Sequence, residues 1–151
     1  MFLSHFGIFL GHVVCKHGLI TDPTKNAIIV NLHPPTLVRQ LRATLRHTSY
    51  FRKFIKGYVQ ITTPMEKQLK KDNKFTWTEE CQQNLDLLKE KMVTAPILVF
   101  LYWTKEFHVY VDASSITLGA LLAQEGEGDI DHLMDFSNRK LFTTEKKYTT
   151  T

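Results

Sequence analysis

A single acidic residue, Asp112, ends a segment that has the pattern of a β-strand. In "FHVYVDASS", residues 107–115, apolar side chains alternate with polar ones, which is typical of a strand with one apolar face. Asp112 lies on the opposite face, and small or hydroxyl-bearing residues follow it directly. Two interpretations fit this pattern: an Asx turn that ends the strand, or a carboxylate placed to bind a metal ion. The segment by itself leaves both open.

The composition of the 151-residue chain is that of a globular protein. Hydrophobic residues make up 43% and charged residues 23%, which argues against disorder. The formal net charge of +4 favours an anionic partner only weakly. No run reaches 18 uninterrupted apolar residues and the apolar start carries no Lys or Arg before it, so we expect neither a membrane span nor a signal peptide. Cys15 and Cys81 belong to no CxxC pair, which predicts reduced thiols without a disulfide partner and an intracellular location.

The first half of the chain predicts a hairpin followed by helices. Residues 6–20 hold two short β-type runs with a turn at residues 16–18. Thr36 follows two prolines and is a natural N-cap for a long helix over about residues 37–58. Thr63 and Pro64 suit the cap and first position of a shorter second helix.

One face of the helix predicted over residues 37–58 is basic. Its leucines and aromatic residues gather on one side, and four cations gather nearly opposite: Arg39, Arg42, Arg46 and Lys53. Such a strip is either a solvated face or a row of contacts to a phosphate backbone. Helical position alone leaves these two interpretations even.

The segment "FTWTEECQQNLDLLKEKMVTAP" predicts the best-defined helix of the chain. Thr78 can cap it, two glutamates meet the positive end of its dipole, and Pro96 stops it. Its buried stripe is Cys81, Leu85, Leu88 and Met92. The strand that ends at Asp112, a second strand over 118–124 and a third short strand then predict an antiparallel sheet.

Several stretches, in a fixed order, resemble the Pol polyprotein of gypsy-type LTR retrotransposons. "FLGHVV" and "KHGLITDPTK" look like the end of the polymerase palm, and "PPTLVRQLRATLRHTSYFRKFI" is similar to the thumb. "FTWTEECQQNLDLLKEKMVTAPIL" resembles the connection segment, and "FHVYVDASSITLGALLAQ" with "SNRKLFTTEKKY" resembles the opening of the RNase H domain. The resemblance runs from about Phe9 to Tyr148.

This resemblance implies an α+β chain: a β-hairpin, a helical thumb-like segment and an incomplete RNase H-like α/β domain. The implied boundaries are 1–20 for the end of the palm, 21–75 for the thumb-like segment, 76–103 for the connection helix and 104–151 for the start of the RNase H-like domain. Such a sheet, without its covering helix, is expected to leave apolar side chains of the strand at 107–111 in water.

The resemblance also implies roles for individual residues. Asp112 matches the first catalytic carboxylate of the RNase H fold, where a cluster of carboxylates holds two Mg²⁺ ions about 3.5–4 Å apart. Phe9, Leu10 and Gly11 match the hairpin that steadies the primer terminus. The helix after Thr36 matches the thumb that grips the template–primer duplex, so the implied partner is an RNA–DNA hybrid or duplex.

The chain departs from the family at the positions that carry catalysis. No DD dipeptide of a polymerase site occurs, and the family's "Y-x-T-T-E-x-E" is represented only by Tyr148 and the threonines that follow it. Arg46 stands where the family has glycine. We therefore expect a truncated fragment, ancestrally engaged in RNA-directed DNA synthesis and hybrid cleavage, that binds no Mg²⁺ and is inactive alone. The alternative is a non-enzymatic remnant that binds nucleic acid weakly through its basic helix.

Overall fold

The computed structural model describes residues 6–72, 74–128 and 130–147, and these form an α+β fold. Within them lie two three-stranded antiparallel sheets, with strand orders β1-β2-β3 and β4-β5-β6, and four α-helices between the sheets. The strands are β1 (Phe6–Phe9), β2 (His12–Cys15), β3 (Gly18–Thr21), β4 (Phe107–Ala113), β5 (Thr117–Glu125) and β6 (Asp131–Lys140). The helices are α1 (Pro23–Val30), α2 (Val38–Ser49), α3 (Tyr58–Lys67) and α4 (Glu79–Val93). This arrangement confirms the predicted α+β class.

The first sheet has one strand more than the predicted hairpin. Leu10 and Gly11 form the additional turn, with φ values of +48° and +76°. Positive φ at both central residues is the requirement of a type I′ hairpin turn, which Asn-Gly normally satisfies. Because leucine rarely adopts a positive φ, the sequence did not predict this turn.

The predicted single helix over residues 37–58 is wrong, because the chain breaks after α2. A 3₁₀ turn at Arg52–Phe54 and a left-handed residue, Gly57 (φ +72°), separate α2 from α3. The break turns α3 back onto α4 and lets Phe51, Phe54 and Ile55 enter the core almost completely buried.

The predicted start of the next helix is also wrong. Since α3 begins at Tyr58, Thr63 and Pro64 lie inside it rather than at its first turn. The Thr63 hydroxyl donates to the Val59 carbonyl at 2.6 Å, within the helix. The left-handed conformation of Gly57 therefore starts the helix earlier than the threonine–proline pair indicated.

Helix α4 forms as the sequence predicted. The Thr78 hydroxyl accepts a hydrogen bond from the Cys81 backbone N–H at 3.2 Å, which satisfies one free donor of the first turn. Its four stripe residues have no solvent exposure and form the centre of the core: Cys81, Leu85, Leu88 and Met92. Cys15 and Cys81 are both buried free thiols.

The second sheet is attached to the helical layer through buried polar groups. The Asn138 side-chain oxygen accepts from the Val59 N–H at 3.2 Å, and the Asn138 carbonyl accepts from Arg52 Nη2 at 2.7 Å. Gln60 Nε2 donates to Thr117 Oγ1 at 2.7 Å. Asn138 and Thr117 are buried, so these bonds replace contacts with water that both residues lost on folding.

The opposite face of this sheet is open to solvent. Phe107, Val109 and Val111 are 39%, 60% and 65% exposed. The pattern of alternation thus places these side chains on one face as predicted, and no described element covers them.

Candidate nucleic-acid interface

Asp112 lies on the face of the second sheet that points toward the helical layer. It pairs with Gly119, which pairs with Asn138, so the three residues form one row across the sheet. This row borders a cavity of about 160 Å³ whose other wall includes Lys56, Gly57 and Gln60. Because Gly119 has no side chain, the space beside Asp112 stays open, and Lys56 and Gln60 are among the residues that line it.

The donors around Asp112 do not fit a two-Mg²⁺ centre. Such a centre needs several carboxylates that converge on the ions. Across residues 6–72, 74–128 and 130–147, no three His, Cys, Asp or Glu side chains are grouped closely enough to hold a metal ion. The described residues around Asp112 therefore do not assemble the ligands of a two-metal centre.

A second polar cluster on the same face was not expected from the sequence. His108 Nδ1 and Asp131 Oδ1 are 2.7 Å apart, and the Tyr110 hydroxyl donates to Asp131 Oδ2. The Tyr110 hydrogen bond, followed by His108, lowers the pKa of Asp131, and the same bond raises the pKa of Tyr110. His108, Tyr110 and Asp112 alternate along β4, but Asp131 reaches them from β6, across β5.

The tip of the first hairpin is apolar, exposed and strained. Phe9 is 67% and Leu10 is 72% exposed, and Leu10 holds a left-handed conformation that costs a non-glycine residue about 1–2 kcal/mol. Glycine suits position 11 because its φ of +76° lies in the left-handed region, where a side chain is strained whatever space surrounds it. The hairpin residues singled out by sequence therefore lie together on one projecting turn.

Three of the four predicted cations form one row. Arg39, Arg42 and Arg46 are exposed on α2 at spacings i, i+3 and i+7, which places them on one helix face. Within the part of the chain that the structure describes, none of them pairs with a carboxylate. We call these three residues the arginine strip.

Lys53 lies apart from the arginine strip because α2 ends at Ser49. It belongs to the 3₁₀ turn, where its ammonium nitrogen is 5.6 Å from the Phe54 ring centroid. A role of Lys53 in nucleic-acid binding stays a prediction.

The positive charge of Lys53 also acts on His12 of β2. Burial is the main cause that lowers the pKa of His12, and the charges of Lys53 and Lys25 lower it further.

Comparison with known proteins assigns the chain to one family. Residues 77–151 match the RNase H-like domain found in reverse transcriptase. The chain is 34% identical over 153 residues to the retrovirus-related Pol polyprotein from transposon opus of Drosophila melanogaster, covering 94% of this chain and 15% of that polyprotein. For transposon 297 of the same organism the identity is 37% over 148 residues, covering 97% and 14%. The chain thus spans about one seventh of these relatives.

Two solved structures have an arrangement of helices and strands similar to that of this chain. A foamy viral protease-reverse transcriptase in complex with RNA/DNA hybrid matches with a TM-score of 0.81 and 20% identity, covering 97% of this chain and 20% of that one. A complex of the foamy viral enzyme with dsDNA matches with a TM-score of 0.82 and 20% identity, covering 97% and 31%.

Within the part of the chain that the structure describes, none of the helices has the length and apolar character of a membrane span.

The match over residues 77–151, the two transposon relatives and the shared fold agree with each other. Residues 77–151 belong to the family of RNase H-like domains found in reverse transcriptase, and the chain belongs to the retrovirus-related Pol polyproteins of transposons.

Proposed function

We propose that this segment of a gypsy-type Pol polyprotein grips the template–primer of a reverse transcriptase and joins that grip to the RNase H-like domain. Its ancestral reactions are RNA-directed DNA synthesis and cleavage of the RNA–DNA hybrid. The arginine strip carries the proposal, because its three exposed guanidinium groups lie on one helix face and pair with no carboxylate of the described residues. The solved relatives in complex with RNA/DNA hybrid and dsDNA support a nucleic-acid partner.

The grip combines charge with contact at the hairpin tip. Arginine forms bidentate hydrogen bonds with phosphate oxygens, and such contacts fix the position of a duplex without reading its sequence. Phe9 and Leu10 project from a strained turn and can contact the sugar face of a strand. The resulting binding is weak and non-specific, since only a few phosphates are neutralised.

Salt dependence tests the grip. Contacts from three arginines to phosphates predict a slope of log K against log salt of roughly −3 for duplex DNA. In Arg39→Gln/Arg42→Gln we expect the slope to flatten by about 2, since about two counterions fewer are released. Fluorescence anisotropy with a labelled RNA–DNA hybrid over a range of salt concentrations measures this.

The matched control is Lys70→Gln/Lys71→Gln, which removes two exposed cations from the turn after α3. This variant should keep the slope of the wild type. Affinity that does not change with salt, or equal slopes for both double variants, would show the arginine strip to be a solvated face.

We further propose that the segment by itself neither extends a primer nor cuts the RNA of a hybrid. Asp112 is exposed and borders a small cavity, and among the described residues that line this cavity it is the one carboxylate. Gel assays with Mg²⁺ or Mn²⁺ should give no product from the purified chain. Metal-dependent cleavage that is lost in Asp112→Asn would contradict this proposal.

The same observation at Asp112 favours a second candidate, a non-enzymatic nucleic-acid-binding module. Both candidates use the arginine strip, and they differ in whether binding serves catalysis by the rest of a polyprotein. Addition of a purified polymerase-active Pol fragment distinguishes them: stimulated primer extension supports the first candidate, and unchanged extension with intact hybrid binding supports the second.

A further inference from the structure

A groove between α1 and α2 shares one residue, Arg46, with the contacts proposed above. Its volume is about 430 Å³, within the roughly 300–1,000 Å³ typical of sites for small ligands. Aliphatic side chains of α1 and of the second residue after it form one wall: Ile28, Ile29 and Leu32. Basic side chains lie along the groove as well: Lys25, Arg46 and His47.

The charges of the groove have one sign. Lys25 comes from α1, whereas Arg46 and His47 come from the last turn of α2, so the basic groups approach the groove from two elements. Among the residues that the structure describes, none of those lining the groove is acidic. An apolar wall beside convergent cations is complementary to a ligand with an anionic group attached to a flat or apolar body.

The aromatic residue beside these cations is held in place by packing. The Tyr50 ring stacks on His12 with a centroid distance of 4.9 Å and an interplanar angle of 16°. The Lys25 ammonium nitrogen lies 4.9 Å from the Tyr50 ring centroid, and Phe51 packs edge-on at 5.6 Å. Lys25 and Tyr50 are therefore positioned before any ligand arrives, which reduces the entropy lost on binding.

We propose that this groove binds one nucleotide of a nucleic-acid strand, with its phosphate at Lys25, Arg46 and His47 and its base against Ile28 and Leu32. The inference rests on the proposed function, since it specifies how a single nucleotide unit is held beside the arginine strip. A volume of about 430 Å³ suits one nucleotide better than an extended acidic helix. Arg39 and Arg42 remain on the helix face for contacts to a duplex.

Adenosine monophosphate is the probe that tests this site. Titration followed by ¹H–¹⁵N NMR should shift the amide signals of α1 and of the last turn of α2. Inorganic phosphate and adenosine, each alone, should bind more weakly than the nucleotide, because each supplies only one half of the contact. Equal affinity for inorganic phosphate and the nucleotide would overturn the assignment of a base site.

Two variants change the groove without touching the core. Lys25→Gln should weaken nucleotide binding about threefold to fivefold, the range expected for one exposed ion pair. Ile28→Glu, at a position that is 62% exposed, should weaken it more strongly by placing a carboxylate beside the phosphate. Lys70→Gln is the matched control and should bind as the wild type does. Unchanged binding in both groove variants would overturn the proposal, and so would displacement of the nucleotide by a hexaglutamate peptide at equal or lower concentration.

The experiment separates this inference from the proposed function. Loss of salt-dependent hybrid binding in Arg39→Gln/Arg42→Gln, with nucleotide binding retained, supports both sites as distinct. If nucleotide binding depends on Lys25 but hybrid binding does not change with salt, the nucleotide site in the groove is supported and the proposed duplex contact of the arginine strip is contradicted. If hybrid binding depends on the arginine strip but the nucleotide shifts no NMR amide signals, only the nucleotide site in the groove is contradicted.

Discussion

At the scale of single residues, Asp131 shows how a contact between strands makes stability depend on pH. Its carboxylate accepts hydrogen bonds from Tyr110 and His108, and the Tyr110 bond is the larger cause of its lowered pKa. The pKa of Asp131 is lower in the folded than in the unfolded chain, so the contact contributes its full stabilisation at pH values above the pKa of the unfolded chain. That stabilisation is lost as the pH falls through the pKa of the folded chain.

Tyr110→Phe is expected to raise the pKa of Asp131 toward its ordinary value of 3.8, because the largest favourable contact to the charged form is removed. A pH titration of the Asp131 carboxyl carbon by NMR measures the change. Tyr102→Phe serves as the control, since Tyr102 is 58% exposed and lies outside this cluster. The same Asp131 pKa in wild type and Tyr110→Phe would refute the assignment.

The sequence located single residues better than it located their partners. The alternation in "FHVYVDASS" placed His108, Tyr110 and Asp112 on one face. Asp131 could not be assigned to them, because its position depends on the pairing of β5 with β6, which shifts register at Leu122/Ala123. A register shift follows from packing of the whole sheet and leaves no mark in a local pattern.

At the scale of elements, α4 and α2 show when a helix can be predicted. The start of α4 is set by a local cap at Thr78, and its apolar stripe continues without interruption to Met92. The residues after Ser49 also fit a helical period, but the chain turns there because Gly57 adopts a left-handed conformation and Phe54 and Ile55 enter the core. Local sequence patterns predicted α4 correctly, because its start is signalled in the sequence itself. Tertiary packing determines where α2 ends, so local patterns did not predict that end.

Thr78→Ala should destabilise the chain by about 0.5–2 kcal/mol, since the Cys81 N–H loses its acceptor at the start of a core helix. Chemical denaturation followed by circular dichroism measures this loss. Thr78→Ser should restore most of the stability, because its hydroxyl can accept the same bond. Thr76→Ala, an exposed threonine before the helix, is the control. Equal stability of Thr78→Ala and wild type would show that the cap contributes nothing.

At the scale of the whole molecule, the second sheet is bound on one face and open on the other. Asn138 and Thr117 attach it to the helical layer, so the Asp112 face is held close to Lys56 and Gln60. On the other face, Val109 and Val111 remain mostly in water, and Phe107 is partly exposed beside the Trp103 ring, whose centroid lies 6.1 Å from that of Phe107. Contiguous apolar surface of this kind, next to the free edge of β4, promotes association between chains.

Val109→Thr/Val111→Thr tests whether this face causes association. Threonine keeps the β-branched shape that suits a strand, and both valines are already mostly exposed, so little burial is lost. We expect a larger monomer fraction in light scattering after size exclusion, with a thermal midpoint close to that of the wild type. Leu85→Ala is the contrasting variant: it opens a cavity at a fully buried position and should cost about 2–5 kcal/mol. A loss of stability in the threonine variant as large as in Leu85→Ala, or an unchanged monomer fraction, would show that these valines do not form an open, adhesive face.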